Sequence, residues 1–235
     1  MAIIGILGGM GPMATVDVFQ KIVSHTPADC DQEHIRIIID NNPKIPSRID
    51  AIINGTESPL QELINSARLL EMCGADFIII PCNTAHYWFD ELQEVTSVEI
   101  VHMIDNAVAH IKNSDPECSG KILLLATTAT VQTGLYENAF TRQGIALVTP
   151  DAEGQQLVSN VINEIKAGHI EDNSYRERLI ELLNCYASQG VKACIGACTE
   201  LPLIFPYVTA DIIKYDPTDL LARRAVTKAL TAESQ

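Results

Sequence analysis

No apolar run in this 235-residue chain approaches the roughly 20 residues that a membrane-spanning helix needs. The first strand-like segment starts at Ile3, where a secretory leader would show a charged region and an apolar stretch, so a soluble, cytoplasmic protein is expected. Basic residues are scarce: 16 Lys and Arg against 30 Asp and Glu leave a formal net charge of −14. Nucleic acid and anionic membranes are bound through clustered Lys and Arg, so neither is an expected partner. The loop Gly8-Gly9-Met10-Gly11 lacks the G-x-G-x-x-G spacing of a dinucleotide site. Seven cysteines form an odd set without the spacing of a small disulfide framework, which fits free thiols in a reducing compartment. Metal-ligand spacing is lacking too: Cys194 and Cys198 straddle a strand whose side chains alternate, and Cys82 with His86 has no matching second pair, so no metal or other cofactor is expected.

What the chain does contain is a repeat. Gly74 to Thr84 and Gly190 to Glu200 align without a gap at a constant offset, and each stretch carries a cysteine at its ninth position, Cys82 and Cys198. A helix-period segment precedes each one, with apolar residues at Leu60, Leu63, Ile64, Ala67 and Leu70 and then at Leu179, Leu182, Leu183 and Tyr186. Ser58, Pro59 and Gln61 read as a capped helix start with a capping box, and Gly74 and Gly190 as helix stops. Each half opens on an apolar strand, Ile3 to Leu7 and Ile122 to Leu125. Each closes on another, Val98 to Ile104 before Asp105 and Ile212 to Tyr215 before Asp216. Two thiols placed by a repeated unit can face each other across a cleft, which suits moving a proton from one face of a carbon to the other.

Continuously apolar strands alternating with helices indicate α/β units with parallel sheets buried on both faces. The expected architecture is two similar lobes related by a pseudo-two-fold, with the active site in the cleft between them. The N-terminal lobe is expected over 1–116, the C-terminal lobe over 117–207, and 208–235 packs back on the first. The polar stretch Lys112 to Glu117 reads as the break. In such sheets functional residues gather beyond the carboxyl ends of strands, where Cys82 and Cys198 fall. A helix start behind each sulfur stabilises a thiolate and offers a carboxylate a binding place. Cys73 and Cys194 read as small buried hydrophobes.

With these residues on the page the chain resembles the cofactor-independent aspartate/glutamate racemase superfamily, and most closely its aspartate racemase branch. The carriers are Gly5 to Pro12 with Ala14-Thr15, Asn41-Asn42-Pro43 to Arg48, Cys82-Asn-Thr-Ala-His86 with Tyr87-Trp88, Leu125 to Thr130, and Cys198-Thr-Glu-Leu-Pro202. The resemblance implies L- and D-aspartate interconversion without pyridoxal phosphate, Cys82 and Cys198 exchanging the roles of base and acid. It implies that Asn83, Thr84 and Thr199 bind the α-carboxylate, with Thr127 and Thr128 close by, and that Arg48 and Lys166 hold the side-chain carboxylate. Against a net charge of −14, those two cations are the local exceptions that a dicarboxylate needs. Relatives of this kind are commonly homodimers.

Glu200 stands where the glutamate racemase branch has a histidine, and the Gly8-Gly9-Met10 run replaces that branch's first acidic residue; both favour aspartate over glutamate. Met10, His86 and Glu200 are further candidates for the site, His86 either orienting Cys82 or a carboxylate or packing in the first turn of a helix. Glutamate or broad-specificity racemisation, a maleate isomerase-like reaction, a single-cysteine decarboxylase and a non-catalytic amino-acid-binding protein are the alternatives. Two complete cysteine motifs disfavour the last two.

Overall fold

The computed structural model describes residues 1–114 and 121–232. These divide into two compact units, Met1–Asn106 with Thr218–Gln235, and Ala107–Pro217. From residue 115 onward the expected linker, Lys112 to Glu117, lies outside the described residues, as does Cys118. Lys112 and Asn113 belong to the helix Met103–Ser114.

The first unit runs β1 (Ile4–Gly8), α1 (Pro12–His25), β2 (Ile37–Asn41), α2 (Arg48–Asn54), α3 (Leu60–Met72), β3 (Phe77–Ile79), a 3-10 turn (Thr84–Trp88), α4 (Phe89–Glu94), β4 (Glu99–Val101) and the start of α5 (Met103–Ser114). The second unit takes up β5 (Ile122–Ala126), α6 (Thr128–Gln132), α7 (Leu135–Arg142), β6 (Leu147–Val148), α8 (Ala152–Lys166), α9 (Arg176–Ser188), β7 (Ala193–Ala197), α10 (Leu201–Ile204) and β8 (Ile213–Tyr215). The last helix, α11 (Pro217–Thr231), belongs to the first unit from Thr218. The sheets are ordered β2-β1-β3-β4 and β6-β5-β7-β8, all pairs parallel. The expected α/β class with two helix-flanked parallel sheets is what the chain adopts. No helix among the described residues is long and apolar enough to cross a membrane.

The continuous apolar strands serve two cores at once. In β1 and β3, Ile4, Ile6, Phe77 and Ile79 join a cluster with Val18 and Ile22 of α1 and Leu221, Ala222 and Ala225 of α11. Leu7, Ile78 and Ile80 join another with Leu63, Ala67 and Leu70 of α3 and Leu92 of α4. Since successive side chains point to opposite faces, a one-residue slip would exchange the two sets, each large side chain being worth roughly 1.5–3 kcal/mol when buried.

Both helices before the cysteine units end alike. Gly74 and Gly190 each take φ +87°, open to glycine without a Cβ penalty. Each accepts the chain out of its helix through a Schellman pair: Gly74 N–H to Glu71 O and Ala75 N–H to Leu70 O, then Gly190 N–H to Ala187 O and Val191 N–H to Tyr186 O.

Three local expectations are corrected. Ser58 Oγ accepts from Leu60 N–H at 3.3 Å and Gln61 bonds Asn65 at 3.1 Å, while α3 starts at Leu60 with Pro59, not Ser58, at its N-cap, so no capping box forms. The run Val98 to Ile104 is not one strand: β4 ends at Val101 and α5 begins at Met103, because the His102 imidazole caps the helix by accepting from Asp105 N–H at 3.1 Å. Cys73 is exposed at the end of α3 and fills no core, whereas Cys194 is fully buried in β7.

Candidate functional site

In each unit the chain leaves its first strand in one direction and later places its third on the other side, so a topological switch point lies between β1 and β3 and between β5 and β7. Ligands of such sheets bind beyond the carboxyl ends of those strands. The glycine loop and Cys82 follow β1 and β3; Thr127 and Cys198 follow β5 and β7.

In the first unit Cys82 is buried, 7 % exposed, and shares a cluster with Met10, Ile45 and Trp88. Met10 thus contributes apolar packing around the sulfur's neighbourhood. Gly9, at φ +92°, approaches Asn42 so closely that a Cβ would lie 2.3 Å from the Asn42 carbonyl carbon. Thr15 Oγ1 accepts from Gly9 N–H at 2.9 Å, which folds the loop onto the first turns of α1. The loop is therefore shaped by packing.

His86 is buried and doubly bonded. Met103 N–H donates to Nε2 at 3.0 Å, and Nδ1 lies 2.9 Å from the Cys82 carbonyl. A backbone N–H can only donate, so Nε2 accepts and Nδ1 carries the proton that the Cys82 carbonyl receives. Burial, followed by the nearby His102, pulls its pKa down to about 3. His86 is a neutral clamp between the Cys82 turn and the start of α5. Asn83 and Thr84 are buried beside Cys82, and Thr84 opens the 3-10 turn.

Arg48 is the first residue of α2, just beyond β2. Its Nη1 donates to the carbonyls of Ile45 (3.1 Å) and Pro46 (2.8 Å), while its Nε–H is buried with no hydrogen-bond partner among the described residues. The guanidinium is braced by its own loop and keeps a buried donor unused.

In the second unit Ala126 pairs with Ala197, so Thr127 and Cys198 each stand one residue past a paired strand end. Cys198 is 6 % exposed, Thr199 3 % and Glu200 6 %. The Cys198 thiol donates to Glu200 Oε2 at 2.9 Å, and Thr199 Oγ1 donates to the same oxygen at 3.3 Å. Burial first, then the Glu200 charge, push the thiol well above the ordinary cysteine range, and the Lys166 charge acts the other way. This corrects the expectation of a thiolate favoured by a helix start: α10 has only four residues, and the adjacent carboxylate outweighs it.

Lys166, exposed at the end of α8, is thus brought within electrostatic reach of Cys198. Thr127 commits its hydroxyl to capping α6, accepting from Thr130 N–H at 3.2 Å, and Thr128 is exposed at the first helical position. Two neighbours carried no sequence signal. Tyr136 is fully buried, and burial first, then the nearby Asp216, pushes its pKa well above the ordinary tyrosine range. Gln155 donates from Nε2 to the Ala126 carbonyl at 2.9 Å. Among the described residues no group of three His, Cys, Asp or Glu side chains is placed to hold a metal ion.

Chemically, the second unit offers a neutral thiol with a carboxylate positioned to take its proton, and the first a buried thiol on a clamped turn. Comparison with known proteins adds to this. Picrophilus torridus aspartate racemase superposes with a TM-score of 0.87 at 36% identity, covering 97% of this chain and 94% of that one. An aspartate racemase homologue from Pyrococcus horikoshii follows at 0.79 and 27%, covering 98% and 100%. The broad specificity amino-acid racemase RacX of Bacillus subtilis is 30% identical over 236 residues, 98% of this chain and 100% of the relative. The model of the Asp/Glu/hydantoin racemase family matches residues 7–225, and the chain belongs to that family.

Proposed function

We propose that this chain is a racemase that interconverts L- and D-aspartate without pyridoxal phosphate or metal, with Cys82 and Cys198 as its two acid–base groups. The observation that carries the reading is the equivalence of the two thiols: each follows the third strand of its unit, behind a helix ended by a glycine at φ +87°. One thiolate takes the α-proton and the carbanion's charge spreads into the α-carboxylate. The other thiol delivers its proton to the opposite face, so the α-carbon inverts and the two sulfurs exchange protonation states.

Cys198, held as a thiol by burial and Glu200, is the proton donor of the resting chain. When the reaction runs the other way, Glu200 is placed to accept the Cys198 proton and Lys166 to steady the thiolate. Arg48 has a buried Nε–H without a partner among the described residues for the side-chain carboxylate, and Asn83 and Thr84 supply donors for the α-carboxylate, joined by Thr199 when its hydroxyl turns from Glu200 Oε2 to the substrate. The α-hydrogen is very weakly acidic, so fixed donors in a site closed to water carry much of the stabilisation. We further propose a cytoplasmic homodimer.

The likeness to RacX supports a second reading, broad specificity among amino acids. A screen of L- and D-amino acids in deuterated water, following α-proton exchange by NMR without added cofactor, decides between them. Exchange confined to aspartate supports the first reading, and exchange of several amino acids at similar rates the second. Activity removed by chelation and restored only by metal overturns both.

A further inference from the structure

The proposed donors account for both carboxylates of aspartate but leave its α-ammonium, a threefold donor, without an acceptor. Gln155 supplies an unused one. It lies in the first turn of α8, and its Nε2 donates to the Ala126 carbonyl at 2.9 Å. That bond fixes the amide's orientation, since the flipped form would set two acceptors against each other. Its Oε1 is then left buried with no hydrogen-bond partner among the described residues. A buried acceptor without a donor costs roughly 1–3 kcal/mol, so the arrangement needs an explanation.

Its location gives one. Ala126 is the last residue of β5 and pairs with Ala197, the residue before Cys198. The Gln155 amide therefore sits at the carboxyl edge of the strand next to the one that carries the thiol. The internal repeat sharpens the point. Arg48 is the first residue of the helix after β2 and Gln155 the fourth of the helix after β6, and each has one buried polar atom without a partner among the described residues: a donor, Nε, in Arg48 and an acceptor, Oε1, in Gln155. A zwitterionic amino acid has the complement of both.

We propose that Gln155 Oε1 accepts a hydrogen bond from the substrate's α-ammonium beside Cys198, and so selects amino acids over carboxylic acids that lack the nitrogen. The inference rests on the racemase reading and adds a specificity-determining residue to it. It also opposes the isomerase alternative, because maleate has no donor for this oxygen.

The test compares L-aspartate with succinate, the same skeleton without nitrogen, in wild type, Gln155→Met and Gln155→Asn. Loss of one hydrogen bond to a charged group should raise KM for L-aspartate about ten- to a hundredfold. The competitive inhibition constant of succinate should stay within about twofold, which a merely structural role would not allow. Unchanged KM for aspartate, or an equal weakening of both compounds, overturns the inference. If Gln155→Met binds neither compound, Gln155→Asn, one methylene short, is read by the same ratio, and undiminished discrimination there overturns it. A wild type that exchanges no amino acid's α-proton instead overturns the racemase reading itself.

Discussion

Glu200 Oε2 stands 2.9 Å from the Cys198 sulfur and accepts its proton as a hydrogen bond, both groups being buried. A carboxylate so placed holds the thiol protonated at rest and is positioned to receive the proton when the sulfur must act as a base. Glu200→Gln removes the charge and keeps the shape. Thiolate formation at Cys198 should then move to lower pH, seen as iodoacetamide alkylation of that cysteine at lower pH than in wild type. Racemisation should fall by about 10²–10⁴, the usual range for a lost general base. An alkylation profile unmoved by the substitution would show that Glu200 does not govern this thiol.

His86 makes a prediction about acid. In the folded chain it stays neutral down to about pH 3, whereas an unfolded histidine takes up a proton below about 6.5. The unfolded state therefore binds more protons, so the contribution from a neutral His86 is present above about pH 6.5 and is lost as pH falls toward 3. Urea unfolding at pH 8 and pH 5 should show this slope, and His86→Leu should flatten it. The same variant should be less stable than wild type at pH 8, because the Cys82 carbonyl and Met103 N–H lose their partner, at about 1–3 kcal/mol for each buried group left unsatisfied. A slope identical in the two proteins refutes the clamp.

Arg48→Ala should raise KM for aspartate and lower kcat, since losing a grip on the side-chain carboxylate also misplaces the α-carbon. Arg48→Lys should not restore activity, because an ammonium lacks the planar fork that bonds Ile45 and Pro46 and still leaves Nε–H free. Full activity in the lysine variant would remove Arg48 from substrate binding.

Two substitutions separate packing from chemistry. Cys194→Ala should cost on the order of 1 kcal/mol, as expected for a small buried group, with kcat nearly kept. Gly9→Ala should cost more, because φ +92° strains alanine and its methyl would overlap the Asn42 carbonyl. Thermal unfolding of both variants checks the order, and a Gly9→Ala chain as stable as wild type would contradict the close approach.

The repeat made most of the fold legible. Gly74 and Gly190 mark helix ends because only glycine sits easily at φ +87°, and the apolar strands between them specify a sheet buried on both faces. Boundaries set by a side chain were less legible. The apolar run from Val98 to Ile104 hides a strand end and a helix start, since the cap at His102 uses an imidazole that propensity alone does not read as a capping group. Within the candidate site, residue types near the cysteines could be named from sequence, but their partners could not. Whether Glu200 turns toward the thiol or away is a rotamer choice fixed by burial. The contacts from Met103 to His86 and from Gln155 to Ala126 join residues 17 and 29 positions apart, beyond any local pattern.

The central claim is that two thiols act on one α-carbon, and the most direct measurement follows α-proton exchange and optical rotation of L- and D-aspartate in deuterated water with Cys82→Ser and Cys198→Ser. Serine's hydroxyl is far too weak an acid to stand in for the thiol, so neither variant should racemise, while the remaining thiolate labels one enantiomer only, opposite in the two proteins. Full racemisation by folded Cys198→Ser would contradict the two-thiol mechanism.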